Sequence, residues 1–424
     1  MELFDFQKEV LEQSKGFSKV AYYYDMGLGK TYIGAEKLKR LNKKKNLVVC
    51  QHSKIGDWKE HFIKFYPEFK VFDLTENLDA FMSFDDLCVG IINYELLIKR
   101  PQIARLNDFT LLLDESSMIQ NESAKRTKFI MKMLNFENLI LLSGTPTGGK
   151  YEKLYSQLSL LGWKISKTAY WNKFICYRVN NSIGFPLKIV TGYKNIELLK
   201  LRMAEYGCFF KKTDEVFSLP KQIFSDVNYD TGKHYKRFVK FSNCEIDGEE
   251  FVGDTALLQL LYERLILGAY AEEKTTAVKD LIESTEDRII IFYNFNDELR
   301  KLENICIKLD RPTSIINGQT KDLSCYEEFS NSVTLVQYQA GAMGLNLQKA
   351  NRMIFHSPCL SSELFEQAKK RIHRIGQEKT CFYYRLIGRN SVEEQIYETL
   401  DMHKDFTDEL FERGEEMRNL IPFF

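Results

Sequence analysis

Short runs of uninterrupted apolar residues alternate along the chain with stretches in which apolar positions recur every three to four residues. The first set of runs is Val20 to Tyr24, Leu47-Val48-Val49-Cys50, Cys88-Val89-Gly90-Ile91-Ile92, Leu111-Leu112-Leu113-Asp114 and Leu139-Ile140-Leu141-Leu142. The second set is Ile289-Ile290-Ile291-Phe292, Thr334-Leu335-Val336, Met353-Ile354-Phe355 and Cys381-Phe382-Tyr383-Tyr384. A strand buried on both faces reads as a continuous apolar run, and helical patterns between such runs predict βαβ units around a parallel sheet. The stretch from Ile55 to Phe65 has helical spacing. The pattern therefore predicts an α/β protein with two parallel-sheet lobes.

Between the two sets, residues 151–273 are richer in aromatics and helical patterns. They carry a turn-like Asn180-Asn181-Ser182-Ile183-Gly184-Phe185-Pro186. We expect a first lobe at 1–150, a mostly helical insertion and linker at 151–273, and a second lobe with a helical tail at 274–424. No internal repeat or low-complexity tract stands out.

Chemistry enters at Asp25-Met26-Gly27-Leu28-Gly29-Lys30-Thr31, which follows a strand and precedes a helical pattern. Strand, glycine loop and helix form the setting of a phosphate-binding loop, in which backbone N–H groups and a helix N-terminus face phosphate oxygens. In that reading Gly27 and Gly29 shape the loop, Lys30 reaches the β- and γ-phosphates of ATP or GTP, and Thr31 coordinates Mg²⁺. Tyr24 stands where the usual pattern has glycine. The run ending in Asp114-Glu115 supplies the second half of such a site: Asp114 as a Mg²⁺ holder, Glu115 as the base for the attacking water. Leu142-Ser143-Gly144-Thr145-Pro146-Thr147 closes the next strand with hydroxyl residues suited to sensing the γ-phosphate.

In the second lobe, Gln367, Arg371 and Arg374 fall at helical spacing on one face. A two-lobed ATPase needs such arginines to neutralise the transferring phosphoryl group. The same stretch fits a solvated basic helix or a phosphate-backbone contact. The glycines of Ala340-Gly341-Ala342-Met343-Gly344-Leu345-Asn346-Leu347 permit close backbone approach to a nucleotide or a nucleic-acid strand.

The order and spacing of these segments resemble superfamily-two helicases, and within them the Swi/Snf-type ATP-dependent DNA translocases. Further similar segments are Phe6-Gln7, Trp58-Lys59-Glu60, Ile92-Asn93-Tyr94-Glu95, Lys211-Lys212-Thr213-Asp214-Glu215-Val216 with Leu219-Pro220, Ser391-Val392-Glu393-Glu394 and, most specifically, His373-Arg374-Ile375-Gly376-Gln377. The resemblance implies two RecA-like lobes and a motor that couples ATP hydrolysis to movement on DNA. It implies Gln7 at adenine, Lys30 at phosphate, Thr31 and Asp114 at Mg²⁺, Glu115 as base, and Arg371 and Arg374 as arginine fingers. Gly344 would line the nucleotide, and a nucleic-acid groove would run past Lys54, Tyr94, Thr147 and Ala340. Ser117 replaces a histidine of the family pattern, which points to altered coupling. Strand separation by a hairpin near Gly184 to Gly192, and a nucleotide-gated clamp with little turnover, are the competing functions. Duplex or branched DNA is the expected partner, and RNA stays open.

Composition narrows the class. At 424 residues, about two or three domains are expected. Hydrophobic residues at 44% and charged residues at 28% fit a soluble protein with a core. No apolar run approaches the ~20 residues that span a bilayer, and the start lacks the basic and apolar pattern of a signal peptide. Nine scattered cysteines without a Cys-x-x-Cys pair read as reduced thiols in a cytoplasmic protein, in the host cytoplasm if the compact form is viral. Net charge is zero, so any nucleic-acid footprint must be local. Asn42-Lys43-Lys44-Lys45-Asn46 and Phe210-Lys211-Lys212 are candidate basic patches, and Tyr170-Trp171 and Tyr177-Arg178 candidate stacking residues.

Overall fold

The computed structural model describes residues 2–133, 135–180, 187–341 and 345–412. The Asn181 to Pro186 part of the expected turn lies outside the described residues. Two compact units emerge, one on residues up to Val216 and the other on Phe217–His403.

The first unit is built on a seven-stranded parallel sheet. Its strands are β1 (Lys19–Tyr24), β2 (Lys45–Cys50), β3 (Lys70–Asp73), β4 (Cys88–Asn93), β5 (Phe109–Asp114) and β6 (Phe136–Ser143), with a seventh from further along the chain. A hairpin of β7 (Ile175–Asn180) and β8 (Leu187–Tyr193) intervenes before that strand, β9 (Cys208–Lys211). The order is β3-β4-β2-β5-β6-β1-β9. Helices cover the faces, so Val20 to Tyr23, Leu47 to Cys50 and Leu111 to Leu113 are fully buried. The helix Lys30–Leu41 turns Ile33, Ala35 and Leu38 inward. A Cβ on its Gly34 would stand 2.8 Å from a Leu142 methyl and 3.2 Å from one of Leu112, so glycine lets the helix lie close on β5 and β6.

The second unit holds β10 (Gln222–Tyr229), a hairpin of β11 (Asn243–Ile246) and β12 (Glu249–Val252), and then β13 (Ile289–Tyr293), β14 (Thr313–Ile316), β15 (Val333–Gln337), β16 (Arg352–Phe355) and β17 (Cys381–Gly388). Its six-stranded parallel sheet runs β10-β17-β16-β13-β15-β14. All four apolar runs expected for this lobe are strands, and three of them, β15, β13 and β16, form its centre.

The 151–273 stretch carries more helix than strand, but it also completes both sheets: β9 pairs with β1, and β10 pairs with β17 along its whole length. The structural division therefore falls between Val216 and Phe217, within the expected insertion. Among the described residues no helix is long and apolar enough to cross a membrane. All nine cysteines are free, seven of them buried.

A buried ion pair anchors the second unit. Lys274 Nζ meets Glu393 Oε1 at 2.6 Å with both side chains fully buried. Glu393 Oε2 also accepts from the Tyr229 hydroxyl at 2.7 Å and the Gly388 amide at 3.0 Å. One carboxylate thus ties the start of the last helix, Val392–Glu412, to β10 and β17. Glu393→Ala strands the Lys274 charge and should cost about 3–5 kcal/mol in denaturant unfolding, whereas joint replacement of both residues by Met should recover most of that loss.

Candidate active site

β5, β6 and β1 are neighbours in the sheet, so their carboxyl ends lie side by side, where open parallel sheets place ligands. From those ends come Asp114-Glu115, the turn from Ser143 to Thr147, and the glycine loop.

β1 continues to Tyr24, which pairs in register with Lys211 and takes an ordinary extended conformation. A tyrosine is thus tolerated there: its ring packs against Phe6 and Tyr22, and only its carbonyl faces the loop. Gly27 and Gly29 adopt φ of +86° and +68°, in the left-handed region that favours glycine. A Cβ on Gly29 would come within 2.5 Å of Gln7 Nε2. Gln7, almost fully buried, donates to the Leu28 carbonyl at 3.1 Å and accepts from the Phe4 amide at 3.0 Å. It therefore fastens the N-terminal helix Asp5–Gln13 to the glycine loop.

Lys30 opens the helix Lys30–Leu41 and donates to the carbonyls of Tyr24 at 2.9 Å and Asp25 at 3.2 Å. Thr31 follows, half-buried. The first-turn amides of a helix have no intrahelical acceptor. Lysine, hydroxyl and amides therefore share one helix start, which suits an anion. The loop is also tied to the exit of the first unit. Thr213 donates to Asp25 Oδ2 through its amide at 3.2 Å and its hydroxyl at 3.3 Å. The sequence signal for this link is the Lys211 to Val216 segment, to which sequence reasoning gave no contact.

Asp114 ends β5 half-buried. Oδ2 accepts from Trp58 Nε1 at 2.9 Å and Oδ1 from the Glu115 amide at 3.1 Å. Burial pushes its carboxyl above the usual range, and the Trp58 bond and the charges of Lys30 and Lys54 pull the other way. Glu115 sits at φ +50°, a conformation costing a non-glycine residue on the order of 1 kcal/mol. Tyr94 steadies it from below, its hydroxyl on the Asp114 carbonyl at 2.8 Å. Across the cleft of the loop, a Cβ on Gly144 would lie 3.4 Å from Lys30 Nζ, so the Ser143 to Thr147 turn abuts the lysine.

These groups fit a magnesium nucleotide. Among the described residues no three His, Cys, Asp or Glu side chains form a metal cage. Mg²⁺ at phosphates uses instead one or two protein oxygens together with the phosphates and water. A half-buried carboxyl near a lysine, with a hydroxyl at the adjoining helix start, offers that donor set.

Three residues expected at a nucleic-acid groove are buried: Tyr94, Thr147 and Ala340. Tyr94 supports Asp114, and Thr147 accepts from the Gly149 amide at 3.0 Å. Their side chains are turned into the fold and expose almost no surface. Only Lys54 is part-exposed, 2.6 Å from Asp57. The 42–46 patch is not a free basic surface either. Lys43 pairs with Asp108 and Glu137, and Lys45 turns onto the Phe81 carbonyl. Tyr170 is a packing residue whose hydroxyl meets the Tyr151 carbonyl, and Trp171 and Tyr177 pack on each other.

In the second unit the helix is Ser362–Lys369, and it stops before both arginines. Gln367, Arg371 and Arg374 therefore do not share a helical face; the chain turns at Lys370, whose amide closes the helix on Glu366 and Ala368. Arg371 is buried, and its carbonyl accepts from the Leu347 amide at 3.1 Å. Arg374 hydrogen-bonds Asn346 Oδ1. Gln377 Nε2 faces the carbonyls of Gln348, Ala350 and Ile372 at 2.9–3.1 Å. The Asn346 to Ala350 stretch and the arginine segment are thus tied together. His373 Nε2 donates to the Pro220 carbonyl at 2.8 Å, holding the start of the unit. Gly344 lies outside the described residues.

Residues 23–206 match the family described as SNF2-related domain, and residues 273–376 match the helicase conserved C-terminal domain. The chain thus joins an SNF2-related domain to a helicase conserved C-terminal domain. The SNF2-related segment contains Lys30, Trp58, Asp114 and Glu115, and the helicase segment contains Arg371 and Arg374. One similar protein is the SWI/SNF-related matrix-associated actin-dependent regulator of chromatin subfamily A-like protein 1 of Xenopus laevis, 25% identical over 405 residues, covering 88% of this chain and 40% of that protein. Another is the ISWI chromatin-remodeling complex ATPase ISW2 of Saccharomyces cerevisiae, 23% identical over 430 residues, covering 88% and 37%. The chain thus spans about 40% of the length of the curated relatives it matches. A solved structure, the Sulfolobus solfataricus SWI2/SNF2 ATPase core in complex with dsDNA, aligns over 100% of this chain and 98% of its own, with a TM-score of 0.46 and 22% identity.

The Asp114 environment has a pH signature. A carboxyl whose pKa is raised on folding destabilises the fold once ionised, so the penalty is absent at low pH and appears as pH rises through the raised value. Asp114→Asn removes it. Thermal melts should therefore show wild type falling behind Asp114→Asn in the nucleotide-free protein as pH increases, while the variant loses Mg²⁺-dependent turnover. A wild-type advantage that grows with pH would contradict this.

Proposed function

We propose that this SNF2-related chain is a nucleic-acid-stimulated ATPase that moves along DNA, with duplex or branched DNA as its track. The observation that carries the reading is the convergence of Lys30, beyond β1, with Asp114 and Glu115, at the end of β5, on either side of the β6 turn, in a chain whose second unit presents Arg371 and Arg374 on one folded segment. Lys30 and the amides of the glycine loop bind the β- and γ-phosphates, and Gln7 sits at the base side. Thr31 and Asp114 hold Mg²⁺, which supplies charge neutralisation at the phosphates when bound. Glu115 orients water and takes its proton. The Asp114 bond to the Glu115 amide and the strained Glu115 backbone set the direction of that carboxylate. Arg371 and Arg374 supply positive charge to the transferring phosphoryl group, which makes turnover depend on the second unit. Phosphate contacts dominate binding in such a motor, so sequence preference is weak and affinity falls with salt.

A second reading is strand separation. The antiparallel β7–β8 pairing supports it, because a two-stranded hairpin suits a wedge. A labelled fork decides: translocation without displacement favours the first reading, and displacement the second. The buried Ser117, in place of the family's histidine, motivates a third reading, a clamp that holds DNA and scarcely turns over.

ATP turnover measured without nucleic acid and with single-stranded DNA, duplex DNA, forks and RNA tests the reading. The expected result is strong stimulation by DNA, greatest with duplex or forked substrate. Glu115→Gln should bind nucleotide normally and lose at least about a hundredfold in kcat. No stimulation by any nucleic acid, or full turnover in Glu115→Gln, would overturn it.

A further inference from the structure

Behind the site, on the helix Tyr155–Leu161, lies a glutamine that no motif includes. Gln157 is fully buried. Its Nε2 donates to the Pro146 carbonyl at 2.8 Å. Its Oε1 accepts from Ser116 Oγ at 2.8 Å and from the Tyr23 hydroxyl at 3.1 Å. The amide orientation follows from the partners: a carbonyl accepts only, so the nitrogen must face Pro146. Burial raises the Tyr23 phenol well above its ordinary pKa, which keeps it a donor.

Each partner adjoins one part of the site. Tyr23 precedes Tyr24, whose carbonyl receives Lys30 Nζ. Ser116 follows Glu115, the residue held at positive φ. Pro146 belongs to the turn whose Gly144 abuts Lys30. A second amide, Gln120 Nε2, reaches the same Pro146 carbonyl at 3.1 Å. One side chain therefore fixes, through three hydrogen bonds, the spacing of the lysine loop, the Glu115 backbone and the hydroxyl turn.

The geometry points to Gln157 as a positioning residue for hydrolysis, one that holds the Glu115 backbone in its strained conformation and links it to the Ser143 to Thr147 turn. It rests on the ATPase reading above. It touches none of the groups that bind nucleotide, so its loss acts on the chemical step and not on ATP affinity. In a chain where Ser117 stands in place of the family's histidine, this bridge supplies a connection between base and turn.

The test is steady-state ATP turnover by the full chain with duplex DNA, with ADP affinity and thermal melting measured in parallel. Gln157→Leu keeps most of the volume and removes both polar atoms. It should lower kcat on the order of tenfold to a hundredfold while KM for ATP and ADP affinity move less than about twofold. Gln157→Glu keeps the acceptor oxygen but needs a proton to donate to Pro146. Its kcat relative to wild type should therefore recover as pH falls from about 8 to about 6, since burial raises a carboxyl's pKa. Ser116→Ala and Tyr23→Phe each remove one donor, and should give smaller kcat losses at unchanged KM even if Gln157→Leu folds poorly. Unchanged kcat in Gln157→Leu would overturn the proposal. So would a parallel loss of kcat, KM and melting temperature across all four variants, or a flat pH ratio for Gln157→Glu. Failure of the DNA-dependent reading appears separately, as wild-type turnover that no nucleic acid stimulates, with the kcat comparison then made on basal turnover.

Discussion

Asp114 is a half-buried carboxyl at the end of β5, and the first unit is arranged around the cost of partly removing it from water. A buried charge persists only with partners. Trp58 brings an indole N–H from the helix Ile55–Phe65, the Glu115 amide turns back onto it, and Lys30 and Lys54 lend positive potential. These partners come from three separate stretches of chain, so a single carboxyl organises the ends of β1 and β5. A half-buried carboxyl near a lysine and a helix-start hydroxyl offers the oxygen donors that a Mg²⁺ at phosphates takes.

The second unit uses the same physics for a different end. Glu393 and Lys274 neutralise each other completely within the fold, and the Tyr229 and Gly388 bonds saturate the carboxylate. That pair has nothing left to bind and serves to locate the last helix. Asp114 at the end of β5 is half-buried and Glu393 in the first turn of the last helix is fully buried, but only Asp114 lies near a glycine loop and the lysine that opens a helix. The distinction between structural and functional burial lies in those neighbours.

The central strands were legible because burial on both faces forces unbroken apolar runs. The short or half-exposed strands β3, β9, β10 and β14 were not, since half-exposed positions mix polar and apolar residues as loops do. The glycine loop and the Asp114-Glu115 pair were legible because phosphate chemistry restricts residue types at fixed spacing. The inward direction of Tyr94 was not legible: its motif marks it as important, but sequence does not reveal that its hydroxyl bonds to the Asp114 carbonyl. The helical face drawn through Gln367, Arg371 and Arg374 failed because residues of good helix propensity continue past Lys369, where tertiary bonds from Leu347 and Gln377 turn the chain. Gln157 left no signal, since a glutamine within a helix is ordinary until its three partners are known.

The account's central claim is the proposal that hydrolysis needs Arg371 and Arg374 as well as Lys30, Asp114 and Glu115. Single-turnover ATP hydrolysis by the Arg371→Ala, Arg374→Ala double variant, with duplex DNA and with nucleotide binding measured independently, addresses it most directly. The account predicts retained ATP binding and a hydrolysis rate lower by about a thousandfold or more. Hydrolysis at the wild-type rate in that variant would show that Lys30, Asp114 and Glu115 act without the second unit, and would contradict the account.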